Sequence, residues 1–436
     1  MTPRVLPPWQ AGSRLAIVGS GISGLTAAHH LHHQHDLVLF EAAQRLGGHT
    51  HTIDVEWHGR RHAVDTGFIV FNRQTYPHFS ALLDDLGVTT RPTTMSFSVR
   101  CDRTGLEYNG TNWNGIFAQR RNLLRPRFLR MLRDIARFHR ISLAELPALP
   151  TDLSLGAFLD RREFGRELVQ HYVVPMGAAI WSARPERILD FPAATFLRFL
   201  ANHGMLSIDE RPTWRTVAGG SQTYVERMVA PFAHKIRRNA PVAEIRRDHD
   251  GVWVRTAGSA PERFDGAIIA THSDQALRVL ADPSAAERAV LAAIPYQAND
   301  AVLHRDASVL PRARRAWAAW NYVVPRHERT RVAVTYEMNI LQGLDAGIPL
   351  CVTLNQDDRI DPDKVFARIP YHHPVFDAAG IAAQARWHEL AGHRRTWFCG
   401  AYWRYGFHED GVVSGLRVVE DLRARRQAGI SLAEVS

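Results

Sequence analysis

The chain has 436 residues, of which 45% are hydrophobic and 22% charged, and its formal net charge is +9. That balance belongs to an ordinary globular protein and excludes disorder and collagen-like order, while the lack of any run of about 18 apolar residues excludes a membrane-spanning helix. All but two of the 53 lysines and arginines are arginine, and the positive excess favours anionic partners.

Met1 to Gln10 carries three prolines and no apolar core of a secretory signal, so a cytoplasmic protein is expected. Arg14 to Val18 reads as a short buried strand, Gly19 to Gly24 as a glycine turn, Leu25 to Leu31 as a helix, and Asp36 to Phe40 as a strand ending at Glu41. Strand, glycine turn, helix, strand opens a doubly wound α/β fold. His29, His30, His32, His33 and His35 follow; no nearby carboxylate or cysteine completes a metal set, so they read as a solvated helix end. Ile116 to Arg140 is expected to form one basic amphipathic helix. Its apolar positions include Leu124, Phe128, Met131, Leu132 and Ile135, and Arg127, Arg130, Arg133, Arg137 and Arg140 recur at spacings of three and four.

Gly219-Gly220-Ser221 either starts a helix over Thr223 to Ala233 or approaches a cofactor. Ala243 to Arg255 is hairpin-like, Ala267 to Ala270 is an apolar strand, and His372-His373 before Pro374 reads as a turn. Thr396 to Cys399 is a strand, with Cys399 a buried small hydrophobe, and a last helix runs from about Gly411 to Arg426. Cys101, Cys351 and Cys399 lie far apart without a CxxC, so neither a disulfide framework nor a metal site is expected.

Three stretches carry chemistry. In Gly19-Ser20-Gly21-Ile22-Ser23-Gly24 the first glycine permits the tight turn, the second lets backbone approach a pyrophosphate, and the third lets helix pack on strand. Free N–H groups at the helix start then face the phosphates. Glu41, 22 residues after Gly19, stands where an acid holds a ribose diol and repels a 2′-phosphate. The second stretch, Arg45-Leu46-Gly47-Gly48-His49-Thr50, is a glycine turn that a plain nicotinamide site does not need. In the third, Phe398 to Gly415, a strand ends at Gly400 and a helix opens at about Gly411, its positive end suited to partial negative charge.

These stretches resemble the FAD-containing amine oxidase superfamily. Within it they resemble a bacterial family of predicted NAD/FAD-binding proteins, through Val64-Asp65-Thr66-Gly67-Phe68-Ile69-Val70-Phe71-Asn72, Thr335-Tyr336-Glu337-Met338-Asn339-Ile340-Leu341-Gln342 and Phe398 to Gly415. The resemblance covers nearly all of Arg14 to Leu422. It implies an α/β fold with a glutathione-reductase-type, Rossmann-like FAD domain over 14–92, 212–276 and 394–430, and an inserted α+β substrate domain over 93–211 and 277–393. FAD is expected without a covalent link. Arg45 to Thr50 would follow its diphosphate and ribityl chain, with His49 in place of the family's arginine. Val242 would meet the adenine side, Gly67 the flavin, and Gly411 and Val412 its pyrimidine edge.

The superfamily's amine oxidases keep a lysine that holds a water at the flavin; it would fall near Asn299 or Asp300, and none is there. The family resembled includes flavoproteins of methylated and furan fatty acid synthesis, which accompany lipid methyltransferases. The implied reaction desaturates a methyl-branched acyl chain, in a phospholipid at the inner membrane surface. Oxidation of a soluble amine or another small hydrophobic molecule, or a non-catalytic role as an FAD-binding accessory of such a methyltransferase, are the other readings. The helix expected over Ile116 to Arg140 would lie on an anionic bilayer, with Leu124, Phe128, Leu132 and Ile135 facing the lipid. No nucleic-acid motif is present. A dehydrogenation that releases a proton needs a base, and the candidates are His171, Tyr172, His304, Tyr336 and Glu337. Trp403 and Tyr405 stand where related proteins place aromatics before the flavin.

Overall fold

A computed structural model describes residues 12–181, 183–206, 212–327 and 331–427; Met1 to Gln10 lies outside them. Arg14–Val18 is buried after its first residue and lies inside a five-stranded parallel sheet. The strand order is Ile236–Arg237, Asp36–Phe40, Arg14–Val18, Gly266–Ile269, Thr396–Phe398. All four pairings are parallel, so each strand needs a crossover and is covered on both faces, which explains the near-continuous aliphatic runs. The helix Ile22–Leu31 packs on this sheet through Leu25, Ala27, Ala28 and Leu31, all fully buried. Its outer side meets the closing helix His408–Gln427. A Cβ at Gly415 would stand 2.6 Å from the Ser23 carbonyl oxygen, and one at Gly411 2.5 Å from Ile22 Cγ2. Both glycines therefore serve close helix approach. A three-stranded antiparallel sheet, Val242–Arg247, Val252–Thr256 and Glu262–Phe264, stands beside the parallel one.

A seven-stranded mixed sheet builds the other half, in the order Val365–Pro374, Tyr296–His304, Cys351–Leu354, Val334–Glu337, Trp320–Val324, Phe97–Cys101, Leu106–Asn109. One core joins the parallel sheet and its helices. A second joins the mixed sheet to the helices between Phe138 and Leu206.

Several local expectations change. The helix expected over Ile116 to Arg140 divides into Trp113–Ile116, a 3₁₀ turn Arg120–Leu124 and a longer helix Pro126–Glu145. Proline occupies the first helical turn and holds Arg125 extended, at φ −100° and ψ 105°. Of the residues expected on the lipid, Phe128 is buried and Leu132 and Ile135 are half-buried against the protein, whereas Leu124 is exposed. The histidine run is solvated only in part: His33 is exposed, whereas His32 and His35 are buried, His32 packs on Phe232, and burial lowers the pKa of both. His372 and His373 belong to the long strand Val365–Pro374, paired with Ala298 and Gln297, because the antiparallel partner continues past them. The last helix starts at His408, three residues early, because Asp410 accepts the Phe407 N–H and Glu409 accepts those of His78 and Phe79.

Candidate active site

The glycine turn follows from three close approaches. Gly19 adopts φ +105°, and a Cβ there would stand 2.8 Å from the Ala270 carbonyl oxygen. A Cβ at Gly24 would stand 2.1 Å from the Gly19 carbonyl oxygen, so this glycine packs helix on turn. At Gly21 a Cβ would meet nothing within 4 Å, because it would project into open space. The helix starting at Ile22 has no side-chain cap and no acid in its first turn. Its free N–H groups therefore point where a diphosphate sits. The second glycine turn docks on the first: Gly47 donates its N–H to the Ser20 carbonyl and bridges Gly21. Arg45 does not reach the cavity; its guanidinium donates to the carbonyls of Leu46, Gly48 and Thr50 and holds this turn. Thr50 likewise faces inward, bonded to Tyr224 at 2.5 Å. Glu41 lines the cavity, and its carboxylate accepts the N–H and hydroxyl of Ser20.

From this turn a cavity of about 1610 Å³ runs between the two cores. Gly19, Gly21, Ile22, Ser23, Glu41, Gly47, Gly48 and His49 line it, with Gly67, Val242 and Gly400. Gly411 and Val412 do not, because they pack on the first helix; His408 faces the cavity in their place. Gly219-Gly220-Ser221 does not approach it either. Ser221 donates through N–H and hydroxyl to Asp65, which also accepts from Thr52 and Gln342, so that one buried carboxylate ties three elements.

Histidines and tyrosines surround the middle of the cavity. The ring of Tyr371 lies parallel to His49 at 5.0 Å, and its hydroxyl pairs with Thr66 at 2.9 Å. Asn299 Nδ2 meets His373 Nδ1 at 2.9 Å, at the place where the lysine was sought. His272 stacks on Tyr296 at 4.2 Å, and His408 stacks on Phe68 and bonds Tyr224 at 2.7 Å. Burial, reinforced by His272 and Arg45, pushes the His49 imidazole down to about 3. Burial with the same kind of neighbour brings His373 and His408 to about 3 and His272 to about 4. All four are neutral imidazoles at neutral pH.

The far end is apolar, with Leu132, Ile135, Met176, Ile180, Trp181 and Phe199 in its wall. Here Tyr172 and His139 meet, hydroxyl to Nε2, at 2.7 Å, and both line the cavity. A π-helical stretch, Val169–Val173, precedes Pro175. Proline has no N–H for the His171 carbonyl four residues back, and that oxygen accepts the Tyr108 hydroxyl at 2.7 Å. This wide turn carries Tyr172 on the cavity and leaves His171 off it. Such turns recur at functional sites.

Tyr336 and Tyr405 also line the cavity, Tyr336 edge-on to Trp320 at 5.0 Å. The other candidates are corrected. His304 is fully buried on its strand, receiving the Asp306 N–H at Nδ1 and bonding the Thr353 hydroxyl at 2.7 Å. Glu337 caps the helix Met338–Gln342 by accepting the Ile340 N–H, and burial raises its carboxyl to about 7. Trp403 is buried behind Tyr402, which takes the place on the cavity. Sequence reasoning missed His139, Tyr371, His373 and His408. Only His408 had a cue, its place in the Phe398 to Gly415 stretch.

The residues fit FAD. Two glycine turns leave room for a diphosphate, Glu41 brings a carboxylate to the wall that could accept from a ribose diol, and His49 Nε2 and Trp320 Nε1 are buried on the cavity wall without a hydrogen-bond partner. Neither lysine lines the cavity: Lys364 pairs with Asp306 and Asp361, and Lys235 reaches the His32 carbonyl. Cys399 is buried off the cavity, its thiol pushed up to about 12.

Comparison with curated proteins finds no match. Among solved structures, the chain is similar to a CLA-producing fatty acid isomerase from P. acnes, with 17% identity, TM-score 0.67, and coverage of 94% of this chain and 98% of that one. It is also similar to cyclohexylamine oxidase from Brevibacterium oxydans IH-35A (15% identity, TM-score 0.66, 96% and 99% covered). Reduced UDP-galactopyranose mutase gives 14% identity, TM-score 0.65, and 97% and 98% covered. At these identities the likeness shows a shared fold. The profile described as flavin containing amine oxidoreductase matches residues 22–304, most of the chain, so this protein belongs to that family and is an FAD-dependent oxidoreductase.

Proposed function

We propose that this protein desaturates a methyl-branched fatty acyl chain, carried in a phospholipid, within methylated or furan fatty acid synthesis. One observation carries the reading. Among the described residues lining the cavity, Glu41 is the sole carboxylate and Arg278 the sole lysine or arginine, and the end remote from Glu41 is aliphatic and aromatic. A cationic amine would find no counter-charge there, whereas an alkyl chain buries its surface at roughly 25 cal/mol per Å². A fatty acid isomerase and amine oxidases share the fold alike, so the cavity lining carries the choice between them.

FAD, bound non-covalently, supplies a two-electron acceptor. The chain's own residues position the alkyl carbons and take up the proton that leaves as the C=C bond forms. His139 and Tyr172 are the groups placed to hold that proton, in a wall otherwise apolar. Electrons leave the site to oxygen, a quinone or a protein carrier. A lipid-modifying methyltransferase is the partner that would install the branch.

The test is anaerobic mixing of the yellow holoprotein with detergent-dispersed methyl-branched phospholipid. Bleaching of the visible flavin band is expected. Bleaching by soluble amines alone would replace this reading with amine oxidation, and bleaching by neither would replace it with the accessory role.

A further inference from the structure

Exposed large apolar side chains cluster in one stretch of the described chain: Trp113 (75% exposed), Leu123 (50%), Leu124 (88%), Leu129 (42%) and Leu143 (47%). They are held together from beneath. Trp113 stacks parallel on Phe117 at 6.1 Å, and Phe117 meets Phe128 at 5.9 Å, next to Leu129. Leu123 and Leu124 sit on the 3₁₀ turn that leads into the same helix. On the helix, Leu129, Ala136 and Leu143 recur every seven residues on the outward side, with exposed Arg133 and Arg140 between them.

The charge along the stretch that carries Trp113, Leu123, Leu124 and Leu129 has one sign. From Thr111 to Arg133 there are six arginines and no carboxylate. Arg120, Arg121, Arg127, Arg130 and Arg133 are exposed. The ion pairs made by Arg127 and Arg133 are long, 3.9 Å to Glu167 and 3.8 Å to Asp134. The cavity opens on the same face, since Trp113 and Ala136 are exposed and also line it.

We propose that the face formed by Trp113, Leu123, Leu124, Leu129 and the surrounding arginines docks on an anionic phospholipid bilayer and admits a lipid chain to the cavity. The docking half stands on the surface alone; the admission half rests on the acyl reading above. Arginines among projecting leucines and a tryptophan match the two layers of an anionic membrane: guanidinium groups lie at the phosphates and the apolar side chains enter the acyl boundary. A polynucleotide would match the arginines and leave the leucines in water. Trp113, Leu123 and Leu124 come from the short helix and turn ahead of the long helix, and Leu129 from its exposed side, so that of the residues helical periodicity predicts only Leu124 is among them.

The experiment is vesicle co-sedimentation of the FAD-loaded protein. Wild type is expected to bind phosphatidylcholine vesicles containing phosphatidylglycerol, to release as salt rises, and to ignore pure phosphatidylcholine. Arg127→Glu/Arg130→Glu and Leu123→Ser/Leu124→Ser should each weaken binding, the charge reversal about thirtyfold or more, with the flavin spectrum unchanged. Arg288→Glu/Arg423→Glu, exposed on other helices, should bind as wild type. Equal binding to neutral vesicles, patch variants that bind normally, or a control that fails as badly would each overturn the proposal. So would retention of a single-stranded oligonucleotide by a protein that refuses vesicles. Bleaching by detergent-dispersed substrate separates the two readings. Vesicle binding without bleaching leaves the docking face and removes the acyl reaction, and bleaching without vesicle binding does the reverse.

Discussion

His139 and Tyr172 come from two helices and share one hydrogen bond, 2.7 Å long, inside an apolar wall. A proton released there has few other destinations. Tyr172→Phe and His139→Phe should therefore each slow anaerobic flavin bleaching by about a hundredfold or more, the usual range for a general base, with FAD content unaltered; a variant that bleaches at the wild-type rate would remove that residue from the role. His408 offers a test by pH. Its folded pKa lies near 3, against 6.5 for the free side chain, mainly because it is buried. The folded state prefers it neutral, so its contribution is complete above pH 6.5 and declines as pH falls toward 3. In the apoprotein, His408→Gln should be less stable than wild type at pH 8, through the altered bond to Tyr224. That gap should narrow steadily between pH 6.5 and 4.5 in urea melts. His139 falls on the buried side of an arginine-rich helix and becomes chemical only through Tyr172, which a wide turn brings to it. His304 and Glu337 read as candidates because the reaction needs a base and sequence shows the polar group without its partners; Thr353, Asp306 and Ile340 satisfy them, and that pairing is visible only in three dimensions.

Helix contact at the glycines sets a second kind of constraint. At Gly415 a side chain would press on backbone, the Ser23 carbonyl at 2.6 Å, and on Thr26 Cβ at 2.9 Å. Gly415→Val must push the first and last helices apart. It should cost about 3 kcal/mol of stability, as overpacking of a tight core does, and lower FAD retention, because the displaced first helix carries the phosphate-facing N–H groups. Denaturant midpoints and flavin content after gel filtration would show it, and normal values in both would refute it. The paired glycine turns were legible because every constraint on them is local: a turn, a close carbonyl, a helix start. The boundary at Pro126 was also written in the sequence, since proline restrains the residue before it, but arginine periodicity running across Ile116 to Arg140 masked it. The strand through His372 and His373 was not legible, because its length is set by the partner strand Tyr296–His304.

At the scale of the whole molecule, the cavity is walled by residues of both hydrophobic cores. FAD bound there stabilises the folded state by mass action, about 2.7 kcal/mol when free flavin is about a hundred times Kd. Removing it should lower the thermal midpoint by several degrees and re-adding it should restore the loss; an unchanged midpoint would mean that the nucleotide does not bind where the glycines lie. The α/β class and the first nucleotide-binding unit followed from hydrophobic runs and glycine placement. The mixed sheet did not, because its strands pair across long intervals of sequence, Trp320–Val324 with Phe97–Cys101 above all.

The parallel sheet sets an order of events. Gly266–Ile269 must lie between Arg14–Val18, made early, and Thr396–Phe398, made late. A ribosome-bound chain can form the opening turn and helix at once, yet it lacks Thr396–Phe398 and the helix behind it until that distant segment has been made. Such long-range pairing folds slowly. Nascent chains should then emerge colourless and take up their pigment only after Thr396–Phe398 has found its slot, and until then the incomplete sheet keeps an open edge at Gly266–Ile269.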